Sequence, residues 1–70
     1  MIVYNVTVVI EAEVEKEWVQ WMTQTHIPDV MATNRFVSYK MCRIISTVDD
    51  GISYSIQYTC KDMKTLHEYQ

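Results

Sequence analysis

His26, Asp29, His67, Cys42 and Cys60 are the side chains of this sequence best suited to move a proton or hold a metal ion. An imidazole with a carboxylate three positions on, as in His26 and Asp29, could work as a general acid or base whose ring the acid orients. The simpler reading is structural. His26 stands just before Pro28, where a helix is expected to end, and an imidazole there interacts favourably with the helix dipole and the free carbonyls. His26, His67, Cys42 and Cys60 have no zinc-site spacing, so no metal and no cofactor is expected.

The larger chemical resource is apolar. Trp18, Trp21 and Met22, with Val14, form a wide stripe at helical spacing. Packing against a sheet accounts for such a stripe. The other reading is the aromatic wall of a ligand cavity between helix and sheet, which makes Trp18, Trp21, Met22, His26 and Tyr58 the candidate ligand-binding residues. Two Trp are costly to bury fully in so small a core, so at least one is expected at a rim. Tyr4, Tyr54 and Tyr58 read as an aromatic cluster on one sheet, and could equally offer hydroxyls to a pocket. There is no Gly-rich phosphate loop, no Ser/His/Asp pattern and no paired carboxylates in a credible site.

These residues need elements to hold them. Ile2 to Glu11 alternates as a strand with Ile2, Tyr4, Val6, Val8 and Ile10 on one face. Its other face, with Val3 and Val9, is also partly apolar, which predicts cover on both sides, at least in part. From Glu13 the period becomes helical: Val14, Trp18, Trp21, Met22 and Thr25 fall on one arc, and Lys16, Glu17, Gln20, Thr23 and Gln24 fall opposite. Glu11, Glu13, Glu15 and Glu17 crowd the start, where negative charge suits the dipole; the run otherwise reads as a solvated face. Pro28 predicts an end or kink near His26-Ile27, one further turn through Ala32, and an exit at Thr33-Asn34.

Phe36 to Thr47 reads as a second strand and Ile52 to Cys60 as a third, the cleanest of all, with Ile52, Tyr54, Ile56, Tyr58 and Cys60 alternating with polar residues. Asp49-Asp50-Gly51 between them is a hairpin signal, Gly51 supplying a positive φ. A three-residue loop there would pair Cys42 with Tyr58 and Lys40 with Cys60, leaving the thiols as diagonal neighbours on one face. A two-residue loop at Asp50-Gly51 would put them on opposite faces, and neither register makes a natural disulfide. Arg43 and Lys40 are placed to pair with the acidic first helix or a partner. Asp62 then caps a second helix carrying Met63, Leu66, His67 and Tyr69.

The order is βαββα. A right-handed crossover makes the first two strands parallel, and a short turn lets the third slot between them, antiparallel to both. This is the α+β, ferredoxin-like arrangement, an antiparallel or mixed sheet with helices on one face, lacking its fourth strand. Residues 1–70 therefore read as a single domain cut short at its C-terminus. Strand 1 becomes an exposed apolar edge, so a homo-oligomer through that edge or through the open sheet face is expected.

Composition narrows the classes of function. Seventy residues with 6 Lys+Arg against 9 Asp+Glu give a net charge of −3, and the cations are scattered, which argues against nucleic acid. Apolar residues make up 49%, too many for disorder, yet no run approaches the ~20 residues of a membrane span. One Gly and one Pro signal long elements with few corners. With no secretory signal pattern at the start and only two cysteines, outside any CxxC pair, a reduced cytoplasmic setting is the expectation.

Several segments carry a resemblance. Met1-Ile2-Val3-Tyr4-Asn5-Val6-Thr7-Val8, Trp18-Val19-Gln20-Trp21-Met22 and His26-Ile27-Pro28-Asp29-Val30-Met31-Ala32-Thr33 come in that order, followed by Phe36, Met41-Cys42-Arg43-Ile44 and Ser55-Ile56-Gln57-Tyr58. Together they resemble the small bacterial family catalogued as domain of unknown function 4286. The likeness spans nearly the whole chain and is most specific from Trp18 to Thr33. It implies a dimer-forming, ferredoxin-like domain of about a hundred residues that continues into a fourth strand. The family brings no established activity, so no catalytic residue is carried over. A self-associating binding module, possessing no enzymatic activity, is the first functional expectation. The alternative is a cofactor-independent enzyme of the dimeric α/β-barrel kind, working on a small molecule in the cleft between the first helix and the sheet.

Overall fold

Uninterrupted alternation makes two of the strands. A computed structural model describes residues 1–45 and 51–69. In it β1 spans Ile2–Ile10, β2 Ser38–Ile44 and β3 Ile52–Cys60, in the order β1-β3-β2 with both pairings antiparallel. The third strand thus lies between the first two, as the order of elements demands. β1 pairs without interruption from Ile2 opposite Cys60 to Ile10 opposite Ile52.

The fully buried Ile56 and Cys60 lie on the inward face of β3, beside Tyr54 and Tyr58. That face takes the helices, and the even positions of β1 turn towards them. The odd positions do not find cover. Val3 is 55% and Val9 64% exposed, because β1 is a sheet edge with its second face open. The apolar second face of β1 therefore marks a surface, not a two-sided burial.

β2 is shorter than its run of strand-forming residues. Phe36 leaves the strand direction to bury its ring in the core, and pairing starts after Val37, whose N–H donates to the Thr59 carbonyl at 2.8 Å. The register also differs from a tight hairpin. Ser38 faces Thr59 and Ile44 faces Ser53, so Cys42 faces Ser55 and Lys40 faces Gln57, a slip of three positions. Asp49 and Asp50 lie outside the described residues. Gly51 has no positive φ. Its role is steric: a Cβ there would stand 2.6 Å from Val9 Cγ1 and 3.1 Å from the Ile10 carbonyl oxygen. The slip puts the free thiols of Cys42 and Cys60 on opposite faces, Cys60 fully buried and Cys42 half-buried.

Between β1 and β2 the chain makes one long helical rod. A 3₁₀ turn at Ala12–Val14 leads into α1, Glu15–Trp21, then a π-helical turn at Met22–His26, then α2, Ile27–Met31. In the π turn the Ile27 N–H reaches back five residues to the Met22 carbonyl. Two causes are visible. Pro28 brings no N–H and its ring crowds the carbonyl four residues back, and the Thr23 hydroxyl bonds the Val19 carbonyl at 3.0 Å, a contact that bends helices. Pro28 thus widens the rod where an end or kink was expected, and the rod continues to Met31.

The extra residue in that turn shifts the helical phase. Met22, Ile27 and Val30 are the buried positions, while Thr25, on the arc expected from a uniform period, is exposed; Val14, also on that arc, is exposed in the 3₁₀ turn before α1. Burying a side chain such as Ile27 is worth about 1.5–3 kcal/mol, enough to fix which face of the rod meets the sheet. The rod stops as expected: Asn34 takes a left-handed φ of 61° and its N–H bonds the Met31 carbonyl.

α3, Met63–Tyr69, starts at Asp62, whose Oδ1 accepts from the N–H and the hydroxyl of Thr65, both at 2.8 Å. These bonds hold the Asp62 carboxyl below its ordinary pKa, the backbone bond contributing most. Leu66 is the buried residue of this helix, and Met63 is exposed. The described chain is thus an α+β domain, a three-stranded antiparallel sheet with its helices against one face.

Candidate functional site

The helical rod and the sheet do not close on each other completely. Between them lies a cleft of about 310 Å³. Its floor is Tyr4, Val6 and Val8 of β1 with Ile56 and Tyr58 of β3; its roof is Trp18, Trp21, Met22 and His26; Tyr69 of α3 closes one end. All five side chains singled out from the sequence, Trp18, Trp21, Met22, His26 and Tyr58, line it. A second hollow, beside Glu11, Glu13 and Gly51, is wider open and has fewer walls.

The π turn sets the roof. Met22 points down into the core, while Trp21, just before the turn, and His26, its last residue, stack on each other with ring centroids 4.8 Å apart and planes 18° from parallel. Trp21 is 48% exposed, the rim position that one of the two indoles was expected to take. His26 does not close a helix C-terminus. It sits inside the rod, makes no side-chain cap bond, and lines the cleft. Asp29, three residues on, is exposed.

Trp18 is held by the other end of α1. Its indole lies 4.9 Å from the Tyr54 ring, tilted by 48°. The Tyr54 hydroxyl donates to Glu15 Oε2 at 2.6 Å, and Arg43 Nε lies 3.1 Å from the same oxygen. Arg43 therefore pairs with the first helix, as its position suggested, and Glu15 is the one member of the acidic run folded onto the sheet. The hydrogen bond to Glu15, then burial, pushes the Tyr54 pKa above its ordinary value. This fastening fixes the rod over β3 and so fixes the height of the cleft.

The closed end is aromatic. Phe36 packs against Tyr58 at 5.1 Å, against Tyr69 edge-on at 4.9 Å and against Tyr4 at 6.3 Å. Tyr4 and Tyr58 face each other across β1 and β3 and belong to one cluster, whereas Tyr54 belongs to Trp18. Burial raises the Tyr58 pKa, and the neighbouring hydroxyls of Tyr69, Tyr4 and Tyr39 add to the effect, so this phenol stays protonated. Tyr4 is the lining residue the alternation of β1 could have marked, since it shares the inward face. Val6 and Val8 carry the same alternation, and Ile56 that of β3, but only the folded arrangement shows that these positions and Tyr69 lie under the rod.

The fold and cleft define a class: a small α+β domain whose roofed sheet encloses one apolar, aromatic-lined hollow. Comparison with known families places it more closely. The chain matches the family described as a domain of unknown function, DUF4286, over residues 1–70, and it belongs to that family. No curated protein and no solved structure matches it. Among the described residues no helix is long and apolar enough to cross a membrane, and no group of three His, Cys, Asp or Glu side chains is arranged to hold a metal ion.

Proposed function

We propose that this domain is a binding module for a small, largely apolar molecule, held in the cleft between the helical rod and the sheet. The observation that carries the reading is the cleft itself. Its volume of about 310 Å³ lies at the low end of small-molecule sites, about 300–1,000 Å³, and its walls are carbon-rich with a few polar groups. A π turn at its roof supports it, since such turns occur often at functional sites. Binding is favoured over catalysis because His26 is the one side chain of the lining suited to general acid–base work near neutral pH. The test is a thermal-shift screen of small acids, bases and neutral compounds on the chain and on Val6→Phe, which fills the floor. A compound that stabilises the chain and leaves the filled variant unmoved supports the reading; a screen without such a compound overturns it.

Self-association is the second part of the proposal. β1 offers nine consecutive residues at a sheet edge without a charge, a proline or a break in register, the features that ordinarily blunt an edge. Val3, Val9 and Ile44 lie exposed on the open face. The proposed partner at this edge is a second copy of this chain. Sedimentation at tens of micromolar gives a dimer on this reading, dissociated by Val3→Lys with Val9→Lys; a monomer overturns it.

A further inference from the structure

The polar groups around the cleft are of one kind. None of its lining residues is Asp, Glu, Lys or Arg. What remains is the imidazole of His26, the indole N–H groups of Trp18 and Trp21 and the hydroxyls of Tyr4, Tyr58 and Tyr69, every one able to donate a hydrogen bond. Of the nearby carboxylates, Glu15 is committed to Tyr54 and Arg43, Glu68 to Arg35 and Asp62 to Thr65, while Asp29, three residues from His26, is exposed and outside the lining.

The rings add to this bias. Each aromatic side chain of the lining has another ring packed on it: Trp18 has Tyr54, Trp21 has His26, and Tyr4, Tyr58 and Tyr69 have Phe36. Packed rings leave fewer faces free to hold a cation, and their edges carry the positive part of the quadrupole. With the indole of Trp21 against one face of the His26 ring, the imidazole nitrogens are left at the ring's edge.

Resting on the small-ligand reading of this cleft, we infer that its ligand is a monocarboxylic acid with a compact apolar body, a single ring or a short alkyl chain, whose carboxylate accepts from His26. The apolar body lies on Val6, Val8, Met22 and Ile56. A cationic ligand finds no carboxylate here, and a neutral one leaves the imidazole without an anionic partner.

Benzoate, benzyl alcohol and benzylammonium are matched probes, one ring with an anionic, a neutral and a cationic head. Titrating each into the ¹⁵N-labelled chain at mildly acidic pH reads binding at the indole N–H groups of Trp18 and Trp21 and the amides of Met22 to His26. Benzoate is expected to bind tightest of the three. His26→Gln, which keeps a donor and removes the ionisable ring, should weaken benzoate by about fivefold or more, and by more than it weakens benzyl alcohol. Benzyl alcohol binding as well as benzoate, or a His26→Gln variant that holds benzoate undiminished, overturns the acid while the cleft reading stands. Tightest binding of benzylammonium does the same. Absence of any cleft shift with all three overturns both.

Discussion

Replacing Gly51 by alanine tests whether close approach, and not backbone conformation, is what the position requires. The new Cβ would lie 2.6 Å from Val9 Cγ1, about 1 Å short of an ordinary carbon contact, and 3.1 Å from the Ile10 carbonyl oxygen. Overpacking costs about 1–3 kcal/mol, and because Val9 is exposed and can turn aside, the lower half of that range, about 1–2 kcal/mol, is expected. In a domain of this size that is a fall in Tm of about 4–8 °C per kcal/mol. The decisive assay is a double-mutant cycle in urea with Val9→Ala. With Val9 shortened, Gly51→Ala should lose most of its cost, giving a coupling of about 1 kcal/mol. Since φ at Gly51 is not positive, the restricted unfolded chain even favours alanine by about 0.4–1 kcal/mol once the clash is gone. An equal cost in both backgrounds would refute the steric account and leave a conformational one.

Further outcomes follow from the side-chain bonds and burial described above. Tyr54→Phe removes the bond to Glu15 and should cost about 1–2 kcal/mol in urea unfolding at neutral pH. The raised pKa values of Tyr54 and Tyr58 mean the fold holds their protons more tightly than the unfolded chain. Their share of stability is complete below about pH 10 and falls as pH rises towards their folded values, a slope that Tyr54→Phe should reduce. Asp62 has the opposite sign: its depressed pKa stabilises the fold above the ordinary carboxylate value. The destabilisation expected of Asp62→Ala at neutral pH should therefore shrink as pH drops through about 4 in a thermal scan. With a thiol reagent, Cys42 on the open face should react first and Cys60 only through opening of the fold, and oxidation should yield no bridge between them.

The parts of the fold legible in the sequence are those with an unbroken period. β3 runs over Ile52–Cys60 as its alternation reads, and Asp62 caps α3. Legibility failed where a residue count changes silently. The π turn moved the buried position from Thr25 to Ile27, and the β2–β3 register slipped by three positions from that of a three-residue hairpin. The roof of the cleft was readable because Trp18, Met22 and His26 recur at helical spacing on one side of the rod. Of its floor only Tyr58 was named, since a strand's alternation marks which side chains point inward and says nothing of which helix lies over them.

The π turn has a consequence for how this chain tolerates change. One surplus residue between Met22 and Ile27 works like a vernier between two scales, the aromatic half of the rod and the Ile27–Val30 half. Removing that residue, at Gln24 for instance, would turn one half against the other by about 100°, the advance of a single helical residue. Either Ile27 and Val30 would leave the core, or Trp18 and Trp21 would leave the cleft. The same chain could not then satisfy both its sheet and its cavity. Length at this point in the sequence is thus a more sensitive variable than identity.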